Sequence, residues 1–324
     1  MNNITLVDGS HLLHRVFYTN VVKLENGVLH GFLRSLQSYS RHYPESAIIV
    51  LWDHGTPTFR QSICSEYKKW KGSDTTEVDE EKLHFYEEYG RSRAILNVML
   101  AEFGMLSLLL DSYEADDLIY FFRHWLEADS YVIITEDADL WQLIDDKTTV
   151  YKPIADVWVN KESFKDLGLN PDSPSLVEQY IVRKSMIGDH SDNISGVKGI
   201  GAVNATRIIN SLLKGNFEVQ KKVDKLYTDN LDIVQRNIKL IDIGYLVDHE
   251  WDSILRGAEA VLSSVGKANF LQVHKLLRKY KLSEVAAEMD LLINQGGDVW
   301  RSVKRNNTKC VYNRDYSWLN NFSS

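Results

Sequence analysis

The acidic residues of this chain fall in an order that suits metal-assisted hydrolysis. Asp8 closes the apolar run Ile4-Thr5-Leu6-Val7, Asp53 closes Ala47 to Trp52, and Asp137 and Asp139 follow Tyr131 to Thr135. Glu114, Asp116 and Asp117 come after a fourth apolar run, Met105 to Leu110, and Asp189 and Asp192 lie in a turn-rich stretch further on. Each has a plain explanation when taken singly. An Asp at a strand end is usually a turn former or a helix cap, and Glu114-Ala115-Asp116-Asp117 suits the positive end of a helix dipole. Gathered in one place they need compensation, because two carboxylates about 5 Å apart repel by roughly 3 kcal/mol at an effective dielectric near 20. A dense cluster therefore takes up protons or cations. Oxygen-only ligands select Mg²⁺, Mn²⁺ or Ca²⁺ over zinc, and no Cys or His pattern competes. Two such ions about 4 Å apart can activate water on one side of a phosphorus and stabilise the leaving oxygen on the other.

The elements that would gather these acids are legible in the apolar runs. Each is β-branched, of strand length and nearly free of polar alternation, which reads as buried strands of a mainly parallel sheet. Sites in open α/β sheets form beyond the carboxyl ends of the strands, so the acids are expected along one sheet edge. Ala115, Leu118, Ile119, Phe122 and Leu126 follow helical spacing and would pack on that sheet. Residues 61–104 have another character. Tyr67-Lys68-Lys69-Trp70-Lys71 is basic and aromatic, Gly72 to Thr76 is a polar break, and Glu77 to Leu100 is a charge-rich helix, together an insertion between strands. After Pro153 the pattern is mostly helical. Helices are expected over Ser175 to Ile187 and Ala202 to Leu213, and a tail from about Asp252 is expected to be helical until Leu292. The expected fold is α/β, with a mainly parallel central sheet flanked by helices, a helical arch and a mostly helical C-terminal region.

Bulk properties set outer limits. With 324 residues the chain suffices for one large domain with appendages or for two domains. Apolar residues at 44% and charged residues at 25% are ordinary for a globular protein. No stretch reaches the roughly 18 apolar residues of a membrane helix, and the start lacks the pattern of a signal peptide. Cys64 and Cys310 are the only cysteines, which excludes a disulfide framework and fits a reducing cytoplasm. A net charge of −8 argues against coating nucleic acid through overall positive charge. It leaves room for an acidic metal site flanked by separate basic strips.

Several segments together carry a resemblance. Val7-Asp8-Gly9, Trp52-Asp53, Phe59-Arg60, Glu66-Tyr67-Lys68, Glu114-Ala115-Asp116-Asp117, Asp137-Ala138-Asp139 and Gly188-Asp189-His190-Ser191-Asp192-Asn193 occur in that order. Gly196-Val197-Lys198-Gly199-Ile200-Gly201 and the segment from Arg236 to Asp242 follow. This ordered set resembles the 5′-nuclease family, which includes flap endonucleases, polymerase-associated 5′ nuclease domains and phage 5′ exonucleases. It covers about Met1 to Asp248, and the size and helical tail are similar to the T-even phage ribonuclease H branch. The resemblance implies a nuclease domain over 1–174 with an arch at about 61–104. It also implies a helical DNA-binding region over 175–324 with a helix-hairpin motif at 175–214.

The resemblance further implies a two-metal site for Mg²⁺, with Mn²⁺ able to substitute. Asp8, Asp53, Glu114 and Asp116 match the first-metal positions, and Asp116, Asp137, Asp139 and Asp192 those near the second. Asp117 and Asp189 match outer positions acting through water. Ala138 departs from the glycine the family often has there. Lys68 matches a lysine at the base of the arch that contacts the scissile phosphate, a role suited to a point charge on a flexible stem. Arg60, Lys69 and Lys71 are expected to steer the strand, and Tyr67 to stack on a base. At the hairpin, Lys198, Gly199 and Gly201 would let backbone N–H groups meet phosphate, with Arg207 and Lys214 adding charge. K⁺ is a further ligand implied for this motif. The implied partners of a monomeric enzyme are DNA with a 5′ flap, nick or fork, RNA–DNA hybrid, and a single-strand-binding protein at the tail.

Other readings fit less of the sequence. A PIN-like ribonuclease shares the sheet and acidic edge but does not need the Gly196 to Gly201 hairpin. A non-catalytic nucleic-acid scaffold does not need a full set of acids. A phosphatase of the haloacid-dehalogenase type needs a second Asp where Ser10 stands. His11 and His14 read as helix-face residues rather than bases.

Overall fold

A computed structural model describes residues 3–18, 25–69, 80–214, 222–296, 304–306, 309 and 314–320. Trp70, Lys71, the polar break at 72–76, residues 77–79 and Cys310 lie outside the described residues. The apolar runs form strands β1 (Asn3–Asp8), β2 (Ser46–Trp52), β3 (Leu106–Leu109), the short β4 (Leu126–Glu127), β5 (Ser130–Ile134), β6 (Thr148–Lys152) and β7 (Val157–Val159). One sheet runs β3-β2-β1-β5-β6-β7, parallel except for the antiparallel edge strand β7. Of the last two strands, β6 is mostly polar and β7 is an apolar run of only three residues, Val157-Trp158-Val159.

Position in this sheet explains how distant acids meet. Val7 at the end of central β1 pairs with Val50 on one side and Ile134 on the other. The chain fills one side of β1 with β2 and β3, then crosses to the other side with β5. A crevice opens at the carboxyl ends where the strand order reverses. Asp8, Asp53 and Asp137 stand at that edge.

The helices of the first half are α1 (Gly9–Phe17), α2 (Gly27–His42), α3 (Thr58–Ile63), α4 (Glu80–Glu102) and α5 (Ala115–Trp125). Helix α1 starts directly off β1, with Asp8 as N-cap accepting from the His11 N–H. Only glycine fits next, since a Cβ on Gly9 would stand 2.8 Å from Val50 and 2.9 Å from Trp52. The later helices are α6 (Leu176–Ile187), α7 (Ala202–Leu213), α8 (Lys222–Thr228), α9 (Leu231–Ile241), α10 (Ile243–Ser264), α11 (Phe270–Lys279), α12 (Ser283–Ala287) and α13 (Asp290–Gly296).

Three apolar clusters hold these layers. On one sheet face α5 and α10 pack over Leu6, Ile49 and Ile133, with Phe121 and Trp251 4.6 Å apart between ring centres. On the other face α1, α2 and α4 cover Val7, Ile48 and Val50, joined by Val273, Leu277, Val285 and Leu292 of α11 to α13. The third cluster is the core of α6, α7 and α9, reached by Tyr67 from the chain after α3 and by Trp318 and Leu319 from the tail. The helical tail thus returns to the sheet, because its apolar faces have their partners there.

Candidate active site

Strand ends and helix starts bring Asp8, Asp53, Glu114, Asp116 and Asp137 to one cavity of about 370 Å³. Ser10, His11 and His14 of α1, Lys68, and Phe85, Tyr86 and Tyr89 of α4 complete its wall. Asp8 is buried and accepts from the Thr135 hydroxyl at 3.0 Å as well as from His11. Asp53 accepts from the Ala115 N–H at 2.6 Å, which ties β2 to the start of α5. Glu114 is the N-cap of α5 in a capping box, where the Glu114 N–H donates to Asp117 at 3.0 Å.

Electrostatics in the cavity favour an added cation. Burial, and then Asp53 nearby, push the Asp8 carboxyl up to about 8. Burial and the neighbouring Asp117 raise Asp116 well above the carboxylate range. Glu114 goes the other way, since Arg60 and Lys68 outweigh its burial and hold it below its ordinary value. Raised carboxyls in a shared pocket signal negative charge that lacks a counter-ion. The donors are all carboxylate oxygens, and Glu114, Asp116 and Asp117 offer oxygens within 4.8 Å of one another. Such a set fits hard divalent cations.

Asp139, Asp189 and Asp192 are held beside the cavity. The Lys184 ammonium donates to Asp139 and, at 3.1 Å, to Asp189. Asp189 also accepts from the Ser191 N–H at 2.9 Å. Burial alone would raise Asp189, yet these hydrogen bonds hold it below its ordinary value. Asp192 accepts from the Tyr67 hydroxyl at 3.2 Å and lies 3.6 Å from the Lys68 ammonium. Two glycines shape this loop, for a Cβ on Gly188 (φ +84°) would come within 2.3 Å of the Gly196 N.

Lys68 reaches the cavity from a backbone with φ +49°, a left-handed conformation costing a non-glycine residue roughly 1 kcal/mol. Its N–H donates to the Asp192 carbonyl at 3.1 Å, and its ammonium donates to Glu114.

Three expectations need correction. Arg60 is 2% exposed and cannot steer a nucleic-acid strand. Its guanidinium donates to Glu114 at 2.7 Å and to both oxygens of Asp117 at 2.7 and 3.0 Å. Asp117, fully buried with both oxygens occupied by Arg60 and the Glu114 N–H, is off the cavity and anchors α5. Its oxygens lie close enough to those of Glu114 and Asp116 to suggest a ligand, but the arginine already fills that role. Tyr67 is 2% exposed and donates to Glu114 at 2.9 Å, so its ring cannot stack on a base. Arg207 keeps a partly exposed side chain while it is ion-paired with the buried Asp224.

Of the other residues expected to meet nucleic acid, Lys69, Lys198, Gly199, Gly201 and Lys214 lie on the surface. Lys69 pairs with Glu66 at 3.0 Å. Lys198, Gly199 and Gly201 are exposed, Gly199 has φ +93°, and Gly201 caps α7, with Lys214 exposed at its far end. Sequence reasoning missed Lys184, Thr135 and the aromatic wall of α4. Phe85 and Tyr89, one turn apart, face α1, a spacing that ordinary core formers share, while Tyr86 beside Phe85 is exposed. Nothing in the chain flagged Lys184 or Thr135, whose partners are set by tertiary contact.

Comparisons with known proteins agree with this architecture. The family described as 5′-3′ exonuclease, N-terminal resolvase-like domain, matches residues 3–168. The 5′-3′ exonuclease of Bacillus subtilis (strain 168) is 30% identical over 225 residues, which cover 64% of this chain and 70% of that protein. The thermostable DNA polymerase I of Thermus thermophilus is 28% identical over 236 residues, 70% of this chain. The match spans only 26% of that polymerase. Among solved structures, the T5 D15 protein co-crystallised with metal ions superposes with a TM-score of 0.63 at 21% identity. That superposition covers 90% of this chain and 99% of the other, and shows a shared fold. With its fold shared and residues 3–168 matched by the family, the chain belongs to the 5′-3′ exonuclease family.

Proposed function

We propose that this chain is a structure-selective 5′ nuclease acting in DNA replication and repair. Its substrates in this reading are DNA flaps, nicks and forks, and RNA–DNA hybrid in primer removal. The observation that carries the reading is the convergence of Asp8, Asp53, Glu114, Asp116 and Asp137 on one cavity beside Lys68. The names of the Bacillus exonuclease and of the polymerases support it.

Asp8, Asp53, Glu114, Asp116 and Asp137 would hold two Mg²⁺ ions, replaceable by Mn²⁺, with Asp139, Asp189 and Asp192 supporting the second. Bound there, such ions supply Lewis-acid polarisation of the phosphoryl group and acidify water. The chain does the rest. Lys68 meets the negative charge that grows on the phosphoryl oxygens. Thr135 and the His11 N–H fix the Asp8 carboxylate, and the Ala115 N–H fixes Asp53. The exposed N–H groups before α7, with Lys198 and Lys214, bind duplex phosphates without reading sequence, and K⁺ can bridge this hairpin to the duplex. Lys69 and Lys71 add charge on the strand side. We assign residues 1–174 to the nuclease domain and 175–324 to the helical DNA-binding region. Exposed Phe270 and Leu271 on α11 offer apolar surface for a single-strand-binding protein.

The test is cleavage of end-labelled flap, nicked, blunt and hybrid substrates with and without Mg²⁺. The reading expects metal-dependent cuts placed at the 5′ end or junction. Absence of metal-dependent cleavage on every substrate would end it.

A further inference from the structure

Arg60 has one more feature that neither helix capping nor the burial of Asp117 requires. Its Nε donates at 3.2 Å to the carbonyl of Leu240, in the last turn of α9. One buried guanidinium therefore joins three elements. It leaves α3, grips Glu114 and Asp117 at the start of α5, and holds the end of α9. That end of α9 is itself fixed. The Gln142 amide donates to the Ile241 carbonyl at 2.8 Å, and the Tyr316 hydroxyl donates to Asp242 at 2.6 Å. Of the oxygens on Glu114, Oε1 accepts from Lys68, a partly exposed side chain whose ammonium also lies 3.6 Å from Asp192. Oε2 accepts from Arg60 and Tyr67, both buried. The rigid half of the Glu114 carboxylate is thus set by Arg60 and Tyr67, and Arg60 is anchored in turn on the end of α9.

We propose that Arg60 is a positioning residue of the cation site, which sets the orientation of Glu114 in the cavity and registers it to the end of α9. This rests on the nuclease reading above. Arginine suits the task because its planar fork can serve a carboxylate pair and a carbonyl at once, in a fixed geometry that an ammonium lacks. The competing account is that Arg60 only neutralises the buried Asp117.

The two accounts separate in the variant Arg60→Met/Asp117→Asn, which removes both charges of the pair and keeps an amide oxygen to accept from the Glu114 N–H. Removing both charges avoids the cost of leaving one buried and uncompensated. Neutralisation is then no longer needed, while Oε2 of Glu114 has lost one of its two donors, Arg60. Binding of Mn²⁺ to the DNA-free protein, followed by electron paramagnetic resonance, is the readout. Loss of an outer partner typically weakens a metal site by about 10–100-fold, and we expect about tenfold here. The same variant should lower kcat on a flap substrate with KM for DNA unchanged. Arg60→Lys provides a second route if the double variant does not fold, for it leaves Asp117 a cationic partner but removes the fork. It should weaken Mn²⁺ binding in the same direction. Wild-type Mn²⁺ affinity in whichever variant folds overturns the role of Arg60. If wild-type protein itself binds no Mn²⁺, the nuclease reading fails instead.

Discussion

Two neighbouring groups of carboxylates are held in opposite ways. Asp8, Asp53, Asp116 and Asp137 sit among N–H and hydroxyl donors, their nearest ion pair being Arg60 at 3.8 Å from Asp116, a guanidinium already shared with Glu114 and Asp117, and burial first raises Asp8, Asp116 and Asp137. Asp139 and Asp189 share the ammonium of Lys184, so that pair carries its counter-ion within the fold. The first group is complete only when something positive is added, whereas the second is already balanced. A folded protein tolerates the first arrangement where function maintains it, and strained or unbalanced groups gather at such sites. The second arrangement can hold its shape without a ligand and so can keep the rim of the cavity in place.

The comparison breaks most visibly if an unbalanced acid is removed. Asp116→Asn or Asp137→Asn should lower cleavage by roughly 10³-fold or more, since the charge that holds the cations goes with it. Both variants should keep the wild-type circular dichroism spectrum and still shift forked DNA in a gel. Full Mg²⁺-dependent activity in either one would remove these residues from the site. Lys68→Ala should slow single-turnover cleavage by about 10²-fold while changing DNA affinity much less. Rates equal to wild type would leave Lys68 as a surface contact. On the balanced side, Lys184→Met should release Asp139 and Asp189 and raise the Mg²⁺ concentration for half-maximal rate by about tenfold. An unchanged Mg²⁺ dependence would show that the balanced group does not support the cavity.

What the sequence revealed and what it hid follow from one distinction. Strand ends are local: apolar runs fix β1, β2, β3 and β5, and an acid after each run must lie on one edge of a parallel sheet. The helices Leu176–Ile187 and Ala202–Leu213 were equally readable from their spacing and flanking glycines. Strands β6 and β7 were not, since Thr148–Lys152 is mostly polar and Val157–Val159 is an apolar run of only three residues. Side-chain direction was the larger loss. Arg60 and Tyr67 lie in a basic, aromatic stretch that looks exposed, yet both turn inward to Glu114. Charge in a sequence says nothing of which way it faces until the acids it meets are placed.

The smallest effect concerns stability. In metal-free protein Asp8 titrates at about 8 rather than its ordinary 3.8, because of burial first and Asp53 second. A raised value means that the folded state holds the proton more tightly than the unfolded chain does. The stability this confers is full below pH 3.8 and is lost as pH rises through about 8. Glu114 and Asp189, held below their ordinary values, act in the opposite sense and lose their contribution only on the acid side. Asp8→Asn removes the ionisable group while its amide oxygen can still accept from the His11 N–H. The metal-free variant should therefore melt a few degrees above wild type at pH 8, with the gap narrowing towards pH 5. Added Mg²⁺ should raise the melting temperature of wild type at pH 8 more than that of the variant, because only wild type gains relief from the repulsion at Asp8. Scanning calorimetry across pH 5 to 8 measures both, and parallel curves for the two proteins would mean that Asp8 is not under the stress that separates the two carboxylate groups.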